Sequence, residues 1–280
     1  MRPAVDRYCV MGNPVDHSKS PWIHARFAAL TGQALEYGKR LVPMDGFAEG
    51  VRAFRAEGGK GCNVTVPFKF EAFGLADFRS ARAALAGACN TLRFEADGIH
   101  GENTDGIGLV ADLQRNAGIS LGGRDLLLVG AGGAAAGVLG PLLEARPRRL
   151  VVANRTLAKA QALVRSHAML ANETYADLQA CALDAVRGSF DVVINGTASS
   201  LEGGAVPVPG SVLRPGATAY DMMYGPAAQG FLQWAREHGG TGRDGLGMLV
   251  EQAAEAFQFW RGVRPPSAQV LAELRRELTR

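Results

Sequence analysis

The sequence predicts an α/β protein in two parts, one of them interrupted by the other. Three observations predict this. Strand-length apolar runs alternate with helical stretches from the N-terminus onward. A strand, a glycine turn, a helix and a second strand follow one another between Arg124 and Asn154. Near the other end, Leu246 to about Trp260 sets Leu249, Ala253, Ala256 and Trp260 on one apolar helical face, read as packing back on the first half. Residues 1–103 with 242–280 are therefore expected to form one domain and residues 104–241 the other.

In chain order, Arg7 to Met11 reads as a strand ending at Gly12-Asn13-Pro14. Ser20-Pro21 opens a helix to about Leu30, with serine as cap and proline at the first helical position. A strand covers about Leu35 to Val42, and a helix from Asp45 to about Ala56 puts Phe47, Val51 and Phe54 on one face. Gly61 to Val66 is strand-like, and Pro67 starts a short helix. Asp97-Gly98 is a hairpin signal between Asn90–Phe94 and Ile99–Gly101. Asn103-Thr104-Asp105 caps a helix to about Ala117, where the first domain crossing is placed.

The second half begins with Leu126-Leu127-Leu128-Val129, short enough for a buried strand. Gly130-Ala131-Gly132-Gly133-Ala134-Ala135 then turns into a helix, and Leu150 to Ala153 forms the next strand. This is a dinucleotide-binding βαβ unit of Rossmann type. Gly130 permits the tight turn, and Gly132 lets the backbone approach a pyrophosphate held on the free N–H groups of the helix start. Ala135 stands where a third glycine often stands. A carboxylate after the second strand would hold the ribose hydroxyl of NAD. This chain has Asn154-Arg155-Thr156 there, with Lys159 one turn later, so the site is read as preferring NADP(H). Strands at Asp191–Asn195 and Ala219–Asp221 continue this half, and Gly239 to Gly242 is read as the second crossing.

Composition narrows the function. Hydrophobic residues are 47% and charged residues 20% of the chain, ample for a core and unlike a disordered protein. Net charge is only +3, and the densest basic cluster, Arg146, Arg148 and Arg149, is too small for a nucleic-acid footprint. Leu126 to Leu143 carries no charge, yet its glycines and Pro141 argue against a membrane helix. The N-terminus has no apolar leader, and Cys9, Cys62, Cys89 and Cys181 form no C-x-x-C pair. A cytoplasmic protein with reduced thiols and no membrane partner is expected. The five histidines are scattered at no metal-ligand spacing, so no metal site is expected.

A second constellation lies outside the glycine motif. Ser18, Ser20, Thr65, Asn90 and Gln252 stand at strand ends or helix starts, where they could bind a carboxylate and several hydroxyls. Lys69 and Asp105 form a candidate proton-transfer pair. At this point the sequence resembles shikimate dehydrogenase over nearly its whole length. The matching stretches, in the family's order, are Gly12-Asn13-Pro14 with Ser18 to Pro21, Asn63 to Lys69, Gly87 to Thr91, Asn103 to Gly106, the glycine loop, Asn154-Arg155-Thr156, Tyr220-Asp221-Met222 with Tyr224, and Asp244 to Met248.

The resemblance implies a discontinuous α/β substrate domain plus a Rossmann-type NADP-binding domain. It implies reversible NADPH-dependent reduction of 3-dehydroshikimate to shikimate in aromatic amino-acid biosynthesis. Ser18 and Ser20 match the pair that binds the substrate carboxylate, Lys69 the catalytic lysine and Asp105 its partner. Thr65, Asn90, Tyr224 and Gln252 match further substrate contacts. Gly130, Ala131, Gly132, Gly133, Ala134, Asn154, Arg155, Thr156 and Lys159 match the cofactor site, with Met222 and Gly245 near the nicotinamide. The expected assembly is a monomer or homodimer. Two alternatives compete: a quinate/shikimate dehydrogenase of broader substrate or cofactor use, and a non-catalytic nucleotide-binding regulator, which would need no Lys69–Asp105 pair.

Overall fold

Two six-stranded sheets organise residues 5–197 and 207–278, the part of the chain that the computed structural model describes. The chain divides into one unit of Met1–Gly108 with Leu249–Arg280 and another of Leu109–Met248. These divisions fall a few residues beyond the sequence boundaries of 103/104 and 241/242.

In the first unit the strands are β1 (Asp6–Gly12), β2 (Leu35–Leu41), β3 (Gly59–Val64), β4 (Phe78–Arg79), β5 (Thr91–Glu95) and β6 (Gly98–Glu102), in the order β2-β1-β3-β5-β6-β4. β1 runs parallel to β2 and β3, and β5 is antiparallel to β3 and β6. The period-2 alternation of strand side chains explains the burial. Cys9, Met11, Cys62, Val64, Leu92 and Phe94 share a core with Phe47, Val51 and Phe54 of helix α2 (Phe47–Ala56). Tyr8 stacks on Trp260, with ring centroids 4.6 Å apart, and Trp260 Nε1 donates to Leu92 O at 3.0 Å. The helix read from its apolar face, Leu246–Arg261, thus packs on the first half of the chain.

Helix α1 (Ser20–Thr31) differs from the sequence reading at its start. Ser20 is its first helical residue and Lys19 the cap, without a side-chain capping bond. The Ser20 N–H is satisfied instead by Ser18 Oγ at 3.2 Å. Helices α3 (Lys69–Leu75) and α4 (Ala81–Ala86) follow β3 and β4. The helix expected to run to Ala117 is α5 (Asp105–Ala111), continued by a π-helical stretch, Asp112–Asn116.

The second unit holds β7 (Asp125–Val129), β8 (Arg149–Asn154), β9 (Asp177–Ala182), β10 (Phe190–Asn195), β11 (Leu213–Asp221) and β12 (Thr241–Arg243). Their order is β12-β11-β10-β7-β8-β9, with every neighbouring pair parallel. Leu126 and Leu128 face Val138, Leu139 and Leu142 of α6 (Gly133–Glu144). Leu127 and Val129 share the opposite core with Phe231 and Ala235, which lie on the helix Gln229–Glu237. A strand covered on both faces needs apolar side chains at every position. The uncharged run from Leu126 to Leu143 is therefore strand, turn and helix, and no helix among the described residues is long and apolar enough to cross a membrane. The glycine-rich stretch read as the second crossing contributes the edge strand β12, because Thr241 to Arg243 pair in register with Thr218 to Tyr220.

Candidate active site

The first unit gathers polar groups at the ends of β3 and β6. Lys69 begins α3 and Asp105 begins α5. Their Nζ and Oδ2 lie 2.5 Å apart, with side chains 13% and 7% exposed. Asn103 Oδ1 accepts the Asp105 N–H at 3.2 Å and so fixes the helix start. The other carboxylate oxygen, Asp105 Oδ1, accepts from Asn90 Nδ2 at 2.9 Å. The same amide lies 2.9 Å from Thr104 Oγ1 and 3.3 Å from Gln252 Oε1. The structure thus brings Lys69, Asp105, Asn90 and Gln252 into one cluster.

A chain of hydrogen bonds leads from this cluster to Tyr37. Thr91 Oγ1 donates to Asn90 Oδ1 at 3.0 Å and accepts from Asn63 Nδ2 at 3.0 Å. The Tyr37 hydroxyl donates to Asn63 Oδ1 at 2.7 Å. Burial holds the Tyr37 pKa well above its usual value, with Cys9 and Cys62 adding to the rise and a hydrogen bond with Ser20 partly opposing it. The phenol therefore stays protonated and able to donate. His24 stacks face to face on Tyr37, at a centroid distance of 4.2 Å and 5° between planes. Thr65 lies at the end of β3, where its N–H donates to Met11 O at 2.9 Å. A Cβ on Gly12 would stand 2.3 Å from the Thr65 methyl, so glycine there admits the threonine.

The second unit presents a different chemistry. From β7 the chain moves outward to β8 and β9, then returns to β10 on the other side of β7. Such a reversal opens a ligand crevice at the carboxyl ends of the two strands. Gly130 ends β7 with φ +115, a conformation that side chains rarely adopt, and a Cβ there would meet the Gly196 backbone at 3.1 Å. Gly132 has an ordinary extended φ, and a Cβ on it would meet no protein atom within 4 Å. The space beside it, at the N-terminus of α6, is open among the described residues. Arg155 and Lys159 are exposed, and neither has an acidic partner among the described residues. Asn154 Nδ2 donates to Thr156 O at 2.9 Å, shaping the turn into the helix Leu157–Ser166. This set fits a dinucleotide with a 2′-phosphate: a glycine turn, free helix N–H groups and two unpaired cations.

Met222 and Gly245 lie together in this unit. The Gly245 N–H donates to Met223 O at 2.8 Å, and a Cβ on Gly245 would fall 2.4 Å from Met222 O. Tyr224, half-buried, precedes the short 3-10 turn Gly225–Ala228.

Comparison with known proteins decides the family. Residues 10–92 match the shikimate dehydrogenase substrate binding domain, 112–202 the shikimate/quinate 5-dehydrogenase model and 245–275 the shikimate 5′-dehydrogenase C-terminal domain. The chain is 68% identical over 275 residues to the shikimate dehydrogenase (NADP(+)) of Acidovorax sp. strain JS42, covering 98% of each protein. The chain belongs to the shikimate dehydrogenase family. Among solved shikimate dehydrogenases, the shikimate 5-dehydrogenase of Thermus thermophilus in complex with NADP(H) and shikimate is 32% identical. It superposes with a TM-score of 0.83 over 97% of this chain and 99% of that one. The Listeria monocytogenes enzyme, solved with shikimate and NAD, is 26% identical, with a TM-score of 0.83 over 96% of both chains.

Sequence reasoning placed Thr91 and Thr104 within the polar stretches of the site without giving either a role, assigned no role to Glu102, and did not single out Tyr37. Glu102 is buried and accepts from Ser80 Oγ at 2.5 Å, from Arg82 Nη2 at 2.8 Å and from the Asn103 N–H at 2.7 Å. It thereby anchors the turn that delivers Thr104 and Asp105. One signal was available: Glu102-Asn103-Thr104-Asp105 is an unbroken polar run immediately after the hairpin.

Proposed function

We propose that this chain catalyses the reversible NADPH-dependent reduction of 3-dehydroshikimate to shikimate, a step of aromatic amino-acid biosynthesis. The observation that carries the chemistry is the largely buried Lys69–Asp105 pair with Asn90 on its second oxygen. NADP(H), when bound, supplies the hydride for the keto carbon and accepts it in the reverse direction. Lys69 holds a proton at Nζ and gives it to the substrate oxygen as that oxygen becomes a hydroxyl. Asp105 accepts from Lys69 and from a substrate hydroxyl, which keeps the ammonium aimed. Asn90 and Gln252 hold Asp105 and the remaining hydroxyls, and Ser18 and Ser20 donate to the substrate carboxylate. Thr65 and Tyr224 complete the substrate contacts in this reading.

The cofactor residues are Gly130, Ala131, Gly132, Gly133 and Ala134 at the pyrophosphate, with Asn154, Arg155, Thr156 and Lys159 at the adenosine end. Met222 and Gly245 serve the nicotinamide end. Four free cysteines, three of them buried, support a cytoplasmic location. The enzyme works on small molecules as a monomer or homodimer, without nucleic acid or membrane.

The test is direct. Purified protein is assayed with shikimate or quinate, each with NADP+ or NAD+, by following the absorbance of the reduced nicotinamide. Turnover concentrated in the shikimate/NADP+ pair is expected. Comparable rates with quinate or NAD+ would favour an enzyme of broader use, and no turnover with any pair would overturn the catalytic reading.

A further inference from the structure

Asp112 has no exposed surface, and the mechanism above makes no use of its charge. It opens the π-helical stretch that follows α5. Asp112 Oδ2 accepts from the Tyr220 hydroxyl at 2.8 Å and from Arg243 Nε at 2.9 Å. Asp112 Oδ1 accepts from Arg243 Nη2 at 2.5 Å and from Asn116 Nδ2 at 3.0 Å. A carboxylate removed this completely from water requires such pairing, and the bidentate arginine fixes its direction as well as its charge. The backbone beyond β12 passes against the same group, since a Cβ on Gly247 would stand 1.8 Å from Asp112 Oδ1.

The two partners are themselves neighbours. Tyr220 on β11 pairs in register with Arg243 on β12. Each stands two residues before a position on the cofactor side, Tyr220 before Met222 and Arg243 before Gly245. The loops carrying those positions interlock through the Gly245 N–H and Met223 O. Met222 is also tied to the switch point: its N–H donates to Asn195 O at 3.0 Å, and its Sδ lies 3.2 Å from where a Cβ on Gly196 would be. π-helical insertions within helices are rare and recur at functional sites.

The geometry points to Asp112 as a positioning residue: one buried carboxylate clamps the ends of β11 and β12 and so places Met222 and Gly245 at the nicotinamide end of the cofactor site. The assignment rests on the reading of Met222 and Gly245 as cofactor contacts. Burial, with the Asp112 charge beside it, holds the Tyr220 pKa well above the usual value, so the phenol remains a donor.

A cluster that merely held the fold together would affect all cofactor contacts alike. A positioning role affects one end of the cofactor. The experiment therefore separates the ends in the full-length protein. Tyr220→Phe, Arg243→Met and Asp112→Asn are each titrated with NADP+ and with adenosine 2′,5′-bisphosphate, which carries the 2′-phosphate but no nicotinamide. The Kd for NADP+ is expected to rise about tenfold with that for the bisphosphate unchanged, and kcat with shikimate to fall by at least as much. Tyr220→Phe keeps the ring volume, so it gives the same split should Asp112→Asn fail to fold. Equal losses for both ligands, or unchanged NADP+ binding in the folded variants, would overturn the proposal. Wild-type protein that binds neither ligand would overturn the cofactor reading, and the role of Asp112 with it.

Discussion

Lys69 and Asp105 are joined at 2.5 Å although 36 positions separate them in the chain. Each begins a helix, α3 and α5, and each helix follows a strand of the same sheet. The pairing therefore depends on strand order: β5 and β6 fold back against β3 and return Asp105 to the end where α3 begins. Asn90, just before β5, bridges the gap by donating to the Asp105 oxygen that Lys69 leaves open.

In the proposed mechanism Lys69 carries the proton and Asp105 aims it. Lys69→Ala should lose turnover by about 10²–10⁴-fold while the Michaelis constant for shikimate changes much less. Ser18→Ala should show the reverse, with weaker substrate binding and better-kept turnover. Steady-state kinetics on folded variants decides it. Near-normal turnover in Lys69→Ala would remove the lysine from the mechanism.

Arg155 and Lys159 stand exposed with no acidic partner among the described residues, as a 2′-phosphate site requires. A charge-assisted hydrogen bond contributes about 1.5–3 kcal/mol. Arg155→Ala should therefore raise the Michaelis constant for NADP+ by about tenfold or more and leave that for NAD+ nearly unchanged. Equal losses for the two cofactors would exclude a 2′-phosphate contact.

The parts legible in the sequence are those whose requirements are local. Gly130 is needed by its own φ, and Arg155 is marked by its place after a strand. Tyr37 is different. In sequence it is one aromatic residue in a strand, and only the parallel pairing of β1 with β2 and β3 brings it to Asn63. Asp112 is hidden in the same way: it reads as a polar residue on a predicted helix, and its partner Arg243 is 131 positions away. β4, with two residues, is too short to show a period. Thr241 to Arg243 become a strand through pairing with β11, against the low strand preference of their glycine-rich surroundings.

The two glycines of the cofactor turn should respond differently to the same change. Gly130→Ala forces an alanine into φ +115 and against the Gly196 backbone at 3.1 Å. Strain of this kind costs on the order of 1–3 kcal/mol, so the melting temperature should fall. Gly132→Ala meets no protein atom within 4 Å and should keep the melting temperature while weakening NADP+ binding. Calorimetry combined with cofactor titration checks both. A normal affinity in Gly132→Ala would mean that the open space beside it holds no part of the cofactor.

His24 supplies a pH signature of the substrate-side framework. It is fully buried beneath Tyr37, and burial pushes its pKa from 6.5 down to about 3. Between those two values the unfolded chain holds a proton on this residue that the folded chain does not. Stability therefore rises with pH across this window. The contribution of neutral His24 is complete above about 6.5 and is lost as pH falls toward about 3, at up to about 1.4 kcal/mol per pH unit. His24→Phe keeps a flat ring against Tyr37 and removes the titration. Burial also lowers the pKa of His167, but His167 is present in both proteins, so their difference isolates His24. Unfolding free energies from denaturant titrations at several pH values between about 7 and 4 should fall less steeply with acid in the variant than in wild type. Parallel curves would show that His24 takes up its proton without unfolding, and the buried stack on Tyr37 would then be open to water in solution.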